Sequence, residues 1–466
     1  MRALVAVLLV SSVAFAQTEG DGGLPETVDA GTPGTVLEAR VAELERKLLD
    51  EQQQRTAQLG VLEKGVEALK NLPAVLTARG VRLTLGGFVQ ADGQWRQSSV
   101  EQLDDATRAP LNETRFLVRR ARLRPQVETD YVSGALEADF NTVAGSQVRL
   151  VGAEVSAHTS TADGRAPLLQ LTAGQFKIPF GLEVPQSDRE RLFMERSSVV
   201  RSLFPGEYDL GLRLSGQWRF LTFAAAWMNG HPIGEKAFPL QAPVAPRDVV
   251  GRLGVDAKLV PSVRVEAGVS VLIGSGFHAG SPATKDQLVW RDINGDNVAQ
   301  VSELQVILGS PASPSSAFAR QAVGGDVRVS LDLLPLGTTT VQGELVWSKN
   351  LDRLLDPSDL VAVGRDLRGL GWHAAITQQL TKWALLGVRY DRYTPDLDAL
   401  DSRAGQVVPK DLTVSTVAVT AGFVWKPVLR VLVEYDHNTN ANGRTAQGVP
   451  TTLADDAVIG RAEVSF

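Results

Sequence analysis

From Val81 onward the chain breaks into short segments in which apolar and polar residues alternate, the period of a strand with two unlike faces. Val263, Val265, Ala267, Val269, Val271 and Ile273 oppose Arg264, Glu266 and Ser270. Val327, Val329 and Leu331 oppose Asp326, Arg328, Ser330 and Asp332, and Leu429, Val431, Val433 and Tyr435 oppose Arg430, Glu434 and Asp436. Sixteen such segments can be placed: 82–93, 115–130, 134–142, 147–156, 168–177, 207–217, 219–228, 248–258, 262–273, 322–333, 338–349, 370–380, 383–392, 412–425, 428–436 and 456–466. Short links (131–133, 218, 259–261, 334–337, 381–382, 426–427) alternate with long ones (94–114, 178–206, 229–247, 274–321, 350–369, 393–411, 437–455), and only 143–146 and 157–167 break the contrast. Trp95, Trp218, Trp227, Trp347, Trp372, Trp383 and Trp425 fall near strand ends, where an aromatic girdle sits. The pattern predicts an all-β, sixteen-stranded antiparallel transmembrane barrel over 81–466, with lipid outside and water inside.

Upstream the pattern differs. Arg2, an apolar run and Ala14-Phe15-Ala16 read as a signal peptide over 1–16, and the Gly-, Thr- and Pro-rich stretch 17–35 as a flexible spacer. Leu37, Val41, Leu44 and Leu48, then Leu59, Leu62, Val66 and Leu69, form a heptad seam interrupted once, so 36–72 is expected to be a periplasmic coiled-coil helix. A lone amphipathic helix lying on a membrane is the alternative. Past residue 16 no apolar run is long enough for a transmembrane helix. The last segment alternates to a terminal Phe466, which resembles the assembly signal of Gram-negative outer-membrane proteins.

Composition narrows the chemistry. No cysteine excludes disulfides, thiolate metal sites and a lipid-modified N-terminus, and a net charge of −6 argues against nucleic acid. The densest positive charge lies in Arg115–Asp130, where alternation from Phe116 puts Arg120, Arg122, Arg124, Gln126 and Glu128 on one face and Leu117, Ala121, Leu123, Pro125 and Val127 on the other. Three guanidiniums about 7 Å apart need water or carboxylate partners. A wet lumen supplies the first, and an amphipathic strand of a soluble sheet is the blander reading.

GGFVQAD at 86–92, RFLVRRARLR at 115–124, GQFKIPFGLE at 174–183, LFMERS at 192–197 and WMNG at 227–230 resemble the phosphate-selective porin O and P family. The resemblance implies a homotrimeric sixteen-stranded porin whose third long loop, here 178–206 with Arg189, Arg191, Arg196 and Arg201, folds into the lumen. It also implies an anion path lined by basic residues, with Arg120, Arg122 and Arg124 at the matching positions and Lys177 at the loop root. The charge balance departs from strict phosphate selectivity. Inward parity also gives Glu137, Asp139, Asp256, Glu266, Asp326, Asp332, Glu344, Glu434 and Asp436, enough to pair many arginines in a ladder across the lumen.

Two further readings are carried forward. Asp292, Asn294, Asp296, Gln300 and Glu303 stand at positions 1, 3, 5, 9 and 12 of a twelve-residue run, with the Val298 carbonyl at 7, the oxygen spacing of a calcium loop. Position 6 is Asn297 where glycine is usual, and a metal-free acidic turn is the alternative. The five histidines form no catalytic motif, which points away from an enzyme, although a barrel hydrolase with His373 and a serine at the lipid face is conceivable. The runner-up function is structural: an outer-membrane anchor tied to the cell wall by the helix at 36–72.

Overall fold

The computed structural model describes residues 75–466 apart from 79, 98–113, 144, 160–165, 231–246, 279, 334–336, 356–357, 359, 404, 426–427, 442, 445–449 and 453–454. The signal peptide, spacer and coiled-coil helix expected over 1–72 lie outside the described residues.

All sixteen alternating segments are strands. They are β1 (Val81–Arg96), β2 (Arg115–Glu128), β3 (Val132–Asn141), β4 (Gln147–His158), β5 (Gln170–Lys177), β6 (Tyr208–Trp218), β7 (Leu221–Met228) and β8 (Asp248–Val260). They continue with β9 (Val263–His278), β10 (Ser316–Leu333), β11 (Gly337–Lys349), β12 (Arg368–Gln379), β13 (Ala384–Thr394), β14 (Val414–Trp425), β15 (Leu429–Asn440) and β16 (Ala457–Ser465). Each pairs antiparallel with the next, and β16 returns to β1 with Phe88 opposite Ser465, so the sheet closes on itself. A short strand, Val75–Ala78, pairs with the start of β1 below this seam. Closure leaves no sheet edge facing lipid, which is what lets strands span a bilayer. At the seam Phe466 and Gly87 exchange two backbone hydrogen bonds of 3.0 Å.

The alternation sorts the side chains by solvent. Val417, Val419 and Phe423 of β14 and Val431, Val433 and Tyr435 of β15 lie outside, while Ala418, Thr420, Leu432 and Glu434 between them are buried within. Val269, Val271, Ile273, Val323 and Val327 on β9 and β10 are 40–58% exposed. An apolar belt that runs around the wall far exceeds the few hundred Å² a soluble monomer exposes, and it is the face a bilayer covers. No described helix is long and apolar enough to cross a membrane.

In β2 the expected parity fails. Leu117 is buried within the barrel and Phe116 is 82% exposed, the reverse of the alternation read from the sequence. The cause is a bulge: Arg120 and Val118 stand opposite the consecutive residues Gln90 and Ala91, so Arg119 is one residue too many. An extra residue inverts the faces on its N-terminal side and lets two neighbouring side chains share one face. β9 and β10 also run past their expected ends at Ile273 and Ala322, to His278 and Ser316. The connection between them carries a small two-stranded ladder, Gln287–Trp290 with Leu304–Ile307.

Because Leu345 lies mid-strand in β11 and is 52% exposed on the outer face, Leu345→Arg should destabilise the folded barrel by about 2–4 kcal/mol. Reversible urea unfolding from lipid vesicles measures this.

Candidate functional site

The connection between β5 and β6, residues 178–207, turns into the lumen. Phe180, Val184, Val199, Val200, Leu203 and Phe204 are buried against Met228 of β7, Val250 of β8, Leu272 of β9, Val346 of β11 and Tyr393 of β13. The Phe180 and Phe204 rings pack 5.0 Å apart. Room for them comes from small inward residues. Phe193 sits on Ala375 and Ala418, and a Cβ on Gly371 would meet the Val199 side chain at 2.5 Å. No helix is expected here from the sequence pattern, yet Ser198–Leu203 forms a short one, α1, whose apolar residues all lie in this seat.

Backbone groups of the loop that are buried against the wall must still be paired, and charged wall residues do this. Glu344 of β11 accepts hydrogen bonds from Leu182 N and Glu183 N at 3.1 Å, and Glu434 of β15 accepts one from Met194 N at 3.0 Å. Asp391 of β13 accepts from Ser198 N and Oγ at 3.2 and 2.7 Å. In the other direction Arg389 donates to Glu195 O at 2.7 Å, Arg461 to Met194 O at 3.1 Å and Arg430 to Arg191 O at 2.7 Å. Glu344, Glu434 and Asp391 thus hold loop amides as well as any cation, a role that strand parity does not reveal.

On the β1–β6 side the wall stays charged. Its centre is Asp188, whose side chain is fully buried among four arginines. Arg122 Nη1 lies 2.9 Å and Arg120 Nε 3.6 Å from Oδ2, while Arg196 Nη1 at 3.0 Å and the Arg191 guanidinium share Oδ1. A second layer surrounds it. Arg119 grips Glu195 with two hydrogen bonds of 2.6 and 2.9 Å, Arg122 and Arg124 each reach Glu137 at 3.0 Å, and Arg196 also bonds Glu207. Burial on its own would push the Asp188 carboxyl up, and the guanidiniums, Arg120 foremost, overturn that and hold it well below the usual carboxylate range.

Cavities flank this lattice. Toward the long-loop end a 280 Å³ cavity is lined by Arg96, Arg115, Arg119, Arg120, Arg196 and Arg201 against only Glu195 and Glu207. Toward the short-turn end a 190 Å³ cavity is lined by Arg124, Lys177 and Arg213 with Glu137 and Glu154.

The residues singled out from sequence therefore occupy different places. Arg120 and Arg122 are buried in the lattice, whereas Arg124 is part-exposed and bridges Glu137 and Glu154 at the lower cavity. Lys177 donates to Gln186 O and stands 3.8 Å from Glu207. Of the loop arginines, Arg191 and Arg196 join the lattice, Arg189 is exposed, and Arg201 projects from α1 into the upper cavity. Sequence reasoning passed over Asp188, Glu195 and Arg119. The adjacent pair Arg119-Arg120 inside a strand was the available sign of the bulge.

The calcium-type run lies far from the lumen, in the β9–β10 connection. Carboxylate oxygens of Asp292, Asp296 and Glu303 come within 4.8 Å of one another. Asn294 Nδ2 and Gln300 Nε2 donate to Asp296 at 3.0 and 2.8 Å, and Val298 N donates to Asp296 Oδ1 at 2.7 Å. Asn297 takes φ 57°, the left-handed conformation that asparagine tolerates. His373 faces the lumen and not lipid, 4.0 Å from Glu183, and both its ring nitrogens lack a hydrogen-bond partner among the described residues.

A closed sixteen-stranded barrel with an apolar outer belt, a charged lumen and an infolded loop has the architecture of an outer-membrane channel. Residues 89–227 match the family described as phosphate-selective porin O and P, so the family resemblance is shown over the stretch that holds the arginine strand and the infolded loop. Among solved structures the chain is similar in fold to the outer-membrane channel DcaP of Acinetobacter baumannii, with 11% identity, TM-score 0.51, and coverage of 84% of this chain and 99% of that one. It is likewise similar to an anion-selective porin from Comamonas acidovorans, with 10% identity, TM-score 0.51, and coverage of 83% and 100%. No curated protein sequence matches the chain.

Two outcomes are expected. Gly181 holds φ +63°, and a Cβ there would collide with the Glu344 carboxylate. Gly181→Ala should therefore cost about 1–2 kcal/mol and increase open-channel noise in single-channel recordings as the loop loosens. The second concerns pH. A depressed carboxylate contributes stability fully above its unfolded value near about 4 and loses it as pH falls through the lower folded value. The difference in melting temperature between wild type and Asp188→Asn should stay constant from about pH 7 to 5 and shrink only below that.

Proposed function

We propose that the protein is an outer-membrane porin, working as a homotrimer, that passes small hydrophilic solutes by unassisted diffusion and favours anions, phosphate among them. The observation that carries this reading is the excess of basic side chains at the cavities beside the infolded loop: six arginines against two glutamates in the upper one, and Arg124, Lys177 and Arg213 against Glu137 and Glu154 in the lower. A third cavity of 220 Å³, on the β13–β16 side, sets Arg96, Arg196, Arg201 and Arg389 against Glu195, Asp436 and Asp455. Arg96 and Arg201, both at the upper cavity, have no ion-pair partner among the described residues. Positive potential inside a low-dielectric wall concentrates anions at the entrance. Arg120, Arg122, Arg124 and Lys177 continue the positive path past the loop. The family match and the anion-selective porin of similar fold support the same reading.

The test is the reversal potential of the purified protein in a planar bilayer under a KCl gradient. An anion-sided potential is expected, and Arg201→Glu should move it toward the cation side. A cation-sided potential in the wild type would refute anion preference. Absence of any conductance would favour the anchor reading, in which residues 36–72 tie the barrel to the cell wall.

We also propose that Asp292, Asn294, Asp296, Val298, Gln300 and Glu303 bind calcium and stiffen the β9–β10 connection as a fixed clamp, with no part in conduction. Calcium should protect this connection from proteolysis in the wild type and not in Glu303→Gln, since the bidentate glutamate closes such a cage. Equal cleavage with and without calcium would refute it.

A further inference from the structure

We propose that Asp188 is a built-in substitute for the permeating anion: its carboxylate occupies an oxyanion site made by four arginines and thereby sets how strongly the lumen selects and holds anions. The inference deepens the anion-porin reading and rests on it.

The four guanidiniums come from two separate parts of the chain, Arg120 and Arg122 from β2 and Arg191 and Arg196 from the infolded loop. Such convergence on one buried point is costly unless a negative charge is there. Among the described residues only Asp188 serves all four. Arg120, Arg122 and Arg196 each have a second carboxylate, in Glu195, Glu137 and Glu207, but among the described residues Arg191 pairs with Asp188 alone. The single carboxylate fits its donors poorly: among the described residues its Oδ2 accepts no hydrogen bond. Arg191 Nε and Nη1 and Arg122 Nε are buried without a hydrogen-bond partner. A guanidinium carries five N–H donors and a carboxylate only two acceptor oxygens, so this mismatch suits an anion with more oxygens, such as a tetrahedral oxyanion.

Position adds a second argument. Arg120 and Arg196 line the upper cavity, and Arg124, Glu137 and Lys177, their neighbours in the lattice, line the lower one. Asp188, itself fully buried, stands among arginines that line the two cavities, at the densest positive charge between them. A carboxylate fixed to the chain competes there at high effective concentration, so a passing anion is attracted and yet released. Conduction needs that balance, because a site that binds too tightly blocks itself. The Asp188 carbonyl is also held by Gln90 Nε2 at 3.3 Å, which keeps the carboxylate at this point.

The test compares wild type and Asp188→Asn in planar bilayers with KCl gradients, then with added inorganic phosphate. The variant should raise the anion-to-cation permeability ratio roughly threefold or more and should show phosphate block that the wild type lacks. An unchanged ratio together with unchanged block overturns the proposal. Should Asp188→Asn fail to fold, as judged by heat-modifiable gel mobility, Arg191→Gln provides the second arm. Loss of the arginine with spare donors should lower the ratio roughly twofold, and no change there overturns the proposal equally. The wild-type reversal potential alone judges the anion-porin reading. If it is cation-sided, that reading and this one both fall. If it is anion-sided and the variants leave it unmoved, only the role of Asp188 falls.

Discussion

A segment that folds into a barrel brings its peptide groups with it, and each one packed against the wall must find a hydrogen-bond partner there. The interior of this protein is organised by that requirement. Glu344, Glu434 and Asp391 take amides of the loop, and Arg389, Arg430 and Arg461 take its carbonyls. Several of these pairs join residues more than 150 positions apart, as in Leu182 with Glu344 (a separation of 162), so the seat of the loop is built by strands far from it in the chain. Charge on the inner wall therefore has a structural duty before it has any duty toward a solute.

The lumen divides accordingly. On the β7–β14 side, small inward residues let aromatic and aliphatic side chains of the loop reach the wall and pack against it. On the β1–β6 side, ion pairs replace apolar contact and the space between them remains as cavities. Buried ion pairs contribute little net stability once desolvation is counted. They recur on the opposite wall as well, where Arg252 meets Asp326 and Arg320 meets Asp248, so the inner wall is charged on both sides.

The barrel was legible from sequence because its signal is redundant: sixteen strands repeat the same period, and the link lengths repeat the same contrast. The site was less so. Parity identified Arg120, Arg122 and Arg124 as inward, but a period-two reading has no room for a bulge, and it put Leu117 on the wrong face by that one residue. Asp188 lies in a loop without period, so nothing local distinguishes it from Glu190 two positions on. Its role depends on β2 standing opposite, which is tertiary information. The inward run of Gly369, Gly371 and Ala375 on β12 was a readable hint that something would pack there, since a wall facing open water has no need of small residues.

The bulge in β2 has a consequence at both faces of the wall. Its extra residue brings Arg119 beside Arg120, so that two guanidiniums reach Glu195 from neighbouring positions on one strand. The same one-residue offset turns Phe116 outward, where its ring meets Trp95 edge-on at 5.9 Å on the lipid side. Loss of a single codon in this stretch would strip a cation from the passage and an aromatic anchor from the membrane boundary together. The electrostatics of the channel and its depth in the bilayer are thereby inherited as one character.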